Sequence, residues 1–171
     1  MGVLQNVRMV LLAAWLGSAL YFSAVVAPAA FSALRSFGLP NSGEIAGTIV
    51  TRTLSVVNTS GFILSLLLLL ITFAVKRFFR PWSFGIQLVL LSVVALTTAA
   101  GEWVIAARMR GLRLAMQGHI DQVPLTDPNR IVFAALHGYS VAALAIAMLA
   151  SLIVIVLMLF SARKELPTAA K

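Results

Sequence analysis

Four stretches of this chain, about 9–28, 55–75, 84–106 and 138–160, are apolar over the roughly 20 residues that a helix needs to cross a hydrocarbon core about 30 Å thick. Backbone amides find no water there, so each stretch must close its hydrogen bonds within its own helix. Four such stretches in 171 residues leave little chain for anything else. Composition agrees, with 61% hydrophobic residues, 11% charged residues and a mean hydropathy of +1.01. The expectation is an all-α chain: one transmembrane domain over 1–171, folded as an integral membrane four-helix bundle.

The first stretch contains "AWLGSALYFSAVVAPAAF", residues 14–31, which runs apolar into Pro28. Arg8 before it and Ala27-Pro28-Ala29 near its end mimic a signal peptide, but Met9 to Ala27 is longer than a signal core of about 7–15 residues. It is therefore read as a retained span. Proline lacks an N–H and suits a first helical turn better than an interior. The span is expected to end or kink there, with a short helix after it that lies along the interface or continues at an angle.

Asn41 and Glu44 have capping-box spacing, which starts the second helix near Ser42, well before the hydrocarbon. It ends at the basic cluster Lys76, Arg77 and Arg80, followed by Pro81 and an interfacial Trp82. The short connection makes the second and third helices antiparallel neighbours. The third is read as continuing past the membrane through "GEWVIAARMRGLRLAMQGH", so that the second and third helices are both extended. Asp127-Pro128 starts the fourth, and "SARKELPTAAK" closes the chain as a frayed tail.

The net charge of +8 does not point to nucleic acid, because the basic residues flank apolar stretches instead of forming a tract. The partner implied is the lipid bilayer. Arg8, Lys76, Arg77, Arg80, Arg163, Lys164 and Lys171 fall on one side. Arg35, Arg52, Arg108, Arg110, Arg113 and Arg130 fall on the other, with Glu44, Glu102, Asp121 and Asp127. Seven against six places both termini in the cytoplasm. Small residues four apart, such as Ala13 and Gly17, allow close helix contacts, within the chain or with a protein partner or second copy.

Counting about 20 residues from the better-defined edge of each span puts Arg52, Asn58, Glu102, His137 and Tyr139 near one membrane boundary, the exoplasmic one in this orientation. Antiparallel pairing sets Arg52 within reach of Glu102, and an intramembrane carboxylate needs such a partner. These five residues form a candidate polar pocket; the alternative is an ordinary ion pair with snorkelling side chains. His137 could titrate or ligate haem or a metal, although a single histidine is as well explained by a structural hydrogen bond. Met109, Met116 and His119 could add soft ligands for copper, at irregular spacing. With no cysteine, thiol chemistry is excluded, and there is no Gly-rich phosphate loop, serine nucleophile motif or HExxH. No catalytic residue, metal site or cofactor is assigned, and the chain is not expected to be an enzyme.

"AWLGSALYFSAVVAPAAF", "GEIAGTIV", "RMRGLR" and "NRIVFAALHGYSV" occur in that order from Trp15 to about Val141. Together they resemble the family called domain of unknown function 4149, which includes eukaryotic transmembrane protein 205. The resemblance implies four spans with the first retained, and singles out Trp15, Gly17, Pro28, Phe31, Arg113, Phe133, His137 and Ser140 as positions that match the family pattern. It implies no activity. Three function classes follow: a non-enzymatic scaffold or accessory subunit, which composition favours slightly; a transporter or exporter component using the polar pocket; and a haem- or copper-handling protein using His137.

Overall fold

The structure, a computed structural model, describes residues 2–39, 41–76, 81–116 and 120–163. It contains helices α1 (Gly2–Tyr21), α2 (Ala27–Ser36), α3 (Ser42–Ala74), α4 (Pro81–Ala99), α5 (Ala107–Ala115) and α6 (Pro128–Arg163). A π segment, Phe22–Val26, joins α1 to α2, and another, Ala100–Ala106, joins α4 to α5. The result is four helical runs and no strand among the described residues. Each run carries an apolar helix of 33 or 34 residues, long enough to cross a membrane. The chain is an integral membrane four-helix bundle.

Around the bundle, α1 packs on α3 and α6, and α4 packs on the same two. One end of the bundle therefore holds the start of α1, the end of α3, the start of α4 and the end of α6; it is called the termini end below. The far end holds α2, the start of α3, α5 and the start of α6. Trp15, Ala19, Val57, Val94 and Ala147 belong to one core cluster, and Leu12, Leu68, Leu91, Val154 and Met158 form a second toward the termini end. Ile63, Leu70, Leu96, Val104 and Leu149 are exposed, and several interior positions are polar. That inversion suits a bundle whose solvent is lipid, where association depends on packing and hydrogen bonds.

Pro28 does not end the first helix. Backbone dihedrals stay helical at Val26 and Ala27, and the Ala27 N–H donates to the Phe22 carbonyl, a five-residue bond. Widening the turn just upstream makes room for the proline ring and removes the demand for its missing N–H. Thus α2 is the short helix expected after Pro28, joined to α1 without a break and packed on α3.

Glycine on α3 sets the approach of α1. A Cβ on Gly61 would lie 2.6 Å from the Trp15 ring, and Trp15 Nε1 donates to the Val57 carbonyl at 3.0 Å. The indole thus fills the space that glycine vacates and satisfies its own polar atom in the core. Gly17, by contrast, faces open space.

The expected capping box at Asn41 and Glu44 is replaced by a distant cap. Helix α3 starts at Ser42, but Asn41 makes no side-chain cap bond. Instead Asp121 Oδ2 accepts from the Gly43 and Glu44 N–H groups at 3.0 and 3.2 Å. A carboxylate satisfies these unpaired amides and complements the helix dipole, wherever it comes from in sequence. The start of α6 follows expectation: Asp127 Oδ1 accepts from the Asn129 and Arg130 N–H groups at 2.8 and 3.2 Å.

Candidate functional site

A cavity of about 330 Å³ opens at the far end between α2, α3, the second π segment, α5 and the start of α6. Val50, Leu54, Ala106, Met109, Phe31 and Phe133 give it apolar walls. Polar groups sit at both ends. Asp121 and Arg130 lie at the outer end, where the loops are; Glu102 and Ser140 are the lining residues farthest along their helices toward the bundle centre. From Gly43 to Leu54 the α3 wall rises about 16 Å, at 1.5 Å per residue.

Glu102 is the deepest charge. Its side chain is 10% exposed, with Oε1 3.5 Å from Nη1 of Arg110, whose side chain is 52% exposed. Oε2 is buried and has no hydrogen-bond partner among the described residues. The π segment carries both Glu102 and Gly101 on its buried side, a geometry common where a side chain must be re-aimed. Asn58 packs against that turn, with its Nδ2 3.0 Å from where a Cβ on Gly101 would stand.

Arg113 crosses the upper wall. Nη1 donates to Thr48 Oγ1 at 3.3 Å, the guanidinium lies 5.5 Å over the Phe133 ring, and a Cβ on Gly47 would come within 3.2 Å of Nη2. A cation stacked on an aromatic face keeps its charge in an apolar wall at low cost. Arg130 Nη1 donates to the Val123 carbonyl, which ties the loop before α6 back onto that helix.

Only part of the expected polar pocket assembles. Glu102 and His137 line the cavity, His137 from an exposed position at its edge. Asn58 is buried beside the π segment without lining the cavity. Arg52 is exposed and does not pair with Glu102; Arg110 takes that place. The reason is helical phase: Thr51 and Leu54 face the cavity, and Arg52 lies about 100° around α3 from Thr51. Tyr139 is 65% exposed and points away.

The positions that the sequence resemblance implied divide cleanly. Phe31, Arg113, Phe133, His137 and Ser140 meet at the cavity. Trp15 and Pro28 serve the α1–α2 run as described, and Gly17 packs against nothing within the bundle. Met109 lines the cavity, Met116 caps the end of α5, and His119 lies outside the described residues. Among the described residues no three His, Asp or Glu side chains gather as a metal site.

A second polar cluster, at the termini end, was not expected. Arg8, read from sequence as a surface anchor, is 1% exposed. Its Nη2 donates to Thr72 Oγ1 at 2.7 Å and to Gln87 Oε1 at 3.0 Å, and Gln87 Nε2 donates to Ser83 Oγ at 3.2 Å. Thr72 and Gln87 are fully buried. Gln87 held the available clue, because an amide within an apolar span demands a partner. Asp121 offered none; nothing local marks a loop acid as the cap of a helix 78 residues away.

The family described as Domain of unknown function (DUF4149) matches residues 10–118. No curated protein and no solved structure matches the chain. The matched segment carries Phe31, Glu102 and Arg113, whereas Asp121, Phe133, His137 and Ser140 complete the cavity from beyond it. With well over half of its length matched, the chain belongs to the DUF4149 family of membrane proteins of unknown function.

Proposed function

We propose that this chain is a non-enzymatic membrane protein that holds a small, largely apolar ligand at its far end, as a transport or accessory component. The observation that carries the reading is the 330 Å³ cavity, with apolar walls and a few polar groups at its ends, Glu102 at the inner one. Ligand sites characteristically combine such walls with a small number of placed polar side chains, and this volume falls at the small end of their range.

The same reading takes both termini as cytoplasmic. Three of the six far-end arginines are engaged within the protein, Arg110 with Glu102, Arg113 with Thr48 and Phe133, and Arg130 with Val123, against Arg8 alone among the described residues at the termini end. The basic cluster around Lys76 then remains as the cytoplasmic anchor, with both termini on that side and the cavity opening on the exoplasmic side. The helices, about 50 Å long against a core of about 30 Å, extend beyond the membrane at the far end.

The test is ligand occupancy of protein purified in mild detergent, read by native mass spectrometry, for the wild type and Ala134→Trp, which fills the cavity from its α6 wall. One small molecule per chain in the wild type, lost in a folded Ala134→Trp, supports the reading. Equal spectra without a bound species in either protein, with native membranes as the source, would return the chain to the scaffold class, acting through a protein partner or a second copy.

A further inference from the structure

We infer that the ligand of the far-end cavity is a single-chain amphiphile with a protonated amine, whose ammonium group takes Glu102 as counter-ion in place of Arg110; this rests on the ligand-holding reading above. Glu102 lies at the inner end of the cavity, whose α3 wall rises about 16 Å, where an elongated apolar molecule entering from the loops would place its leading group. One carboxylate oxygen has no partner among the described residues, and the other meets Arg110 at 3.5 Å. Arg110 is half exposed, so it can return to water when a second cation arrives. A carboxylate shielded from solvent rewards a donor far more than one in water does.

The other charges of the wall are already committed. Asp121 holds the start of α3, Arg130 holds the Val123 carbonyl, and the face of Arg113 is covered by Phe133. Arg113 Nε is buried without a partner among the described residues, so an anionic headgroup is the competing chemistry. It is disfavoured because an anion at Arg113 would lie in the upper cavity and leave Glu102 unmatched beneath its tail. The ammonium places one new charge where one charge is half satisfied. Ser140, buried at the same inner end, offers a hydroxyl to the same headgroup.

The experiment compares dodecylamine, dodecanol and dodecanoate as probes of the delipidated protein in mild detergent, by native mass spectrometry, in wild type, Glu102→Gln, Arg110→Gln and Ala134→Trp. The amine should bind at one per chain and weaken about tenfold or more in Glu102→Gln, the effect of losing a charge-assisted hydrogen bond. It should tighten several-fold in Arg110→Gln, which removes the competing cation from an exposed position and leaves the core untouched. A purely structural ion pair predicts no tightening. Equal binding of all three probes, or preference for dodecanoate, overturns the amine assignment while leaving the ligand-holding reading in place; no binding of any probe, with Ala134→Trp indistinguishable from wild type, overturns both. Nanodiscs then separate the sources: competition by lysophosphatidylethanolamine but not lysophosphatidylglycerol supports an amine-headed single-chain membrane lipid, and unchanged amine binding in both supports a free amphiphile.

Discussion

At the termini end of the bundle a full positive charge, Arg8, is enclosed by Thr72 and Gln87 at hydrogen-bond distance, and those residues are themselves bonded to Leu68 and Ser83. At the far end a full negative charge, Glu102, is nearly as well buried but has one oxygen paired with a half-exposed arginine and the other open among the described residues. The first arrangement fixes three helical runs against each other. The second stands beside a cavity and keeps a replaceable partner. Two buried charges thus do different work, one as a lock and one as a receptor, and the distinction lies in their surroundings: Arg8 is bonded to buried side chains of two other runs, whereas Glu102 lines a cavity and its partner is half exposed.

The comparison breaks most directly at Arg8. Replacing Arg8 with Ala removes two charge-assisted bonds and leaves the Gln87 carbonyl oxygen facing apolar neighbours, so stability should fall by about 3 kcal/mol, measured by unfolding in mixed micelles. Ligand occupancy of the fraction that remains folded should not change. A stable Arg8→Ala protein would mean that the termini end is not a lock.

Gly61→Ala should come next, at about 2 kcal/mol, because its Cβ would collide with the Trp15 ring and the core must overpack to accept it. The double variant with Trp15→Leu should recover part of that loss, since the two positions share one contact. Additive effects of the two changes would remove Trp15 from the account of how α1 seats on α3.

Asp121→Ala sharpens the far side of the comparison. It should lower stability by only about 1 kcal/mol, and amide hydrogen exchange should quicken at Gly43 and Glu44 before anywhere else in α3. The smallest stability effect is expected for Glu102→Gln, within about 1 kcal/mol of wild type, because its ion-pair partner is half exposed. If the receptor reading is right, that variant loses ligand and keeps its fold, the opposite of Arg8→Ala.

Part of the far-end site was legible because it is carried by residues of unusual character in an apolar chain. Glu102 is the lone acid within a span, and His137 and Ser140 open the fourth span. What the sequence missed was partner choice. Arg52 and Arg110 are equally basic; antiparallel pairing brings the first near Glu102, and the second lies eight residues along the same helical run. Only the phase of α3 turns Arg52 outward, and only the wider π turn at Ala100–Ala106 sets where Glu102 and Arg110 meet. Neither phase nor turn width leaves a mark on hydropathy. Pro28 shows the same limit: its place in the first turn of the short helix follows from the residue type, but the π turn immediately upstream that absorbs it is announced by no residue type.

By itself the sequence determined that the chain crosses a membrane four times as helices, because lipid forces every apolar stretch of that length to satisfy its backbone locally. It also determined which few residues could carry chemistry, since so few are polar. Tertiary structure alone decided that Arg8 belongs to the interior, that Asp121 caps α3, and that Phe31, Glu102, Arg113, Phe133, His137 and Ser140 share one cavity. The hydrogen bonds of Arg8 and Asp121 join residues 64 to 79 positions apart, and a side chain's partner across such a separation is set by helix rotation and packing, which the order of amino acids encodes only jointly.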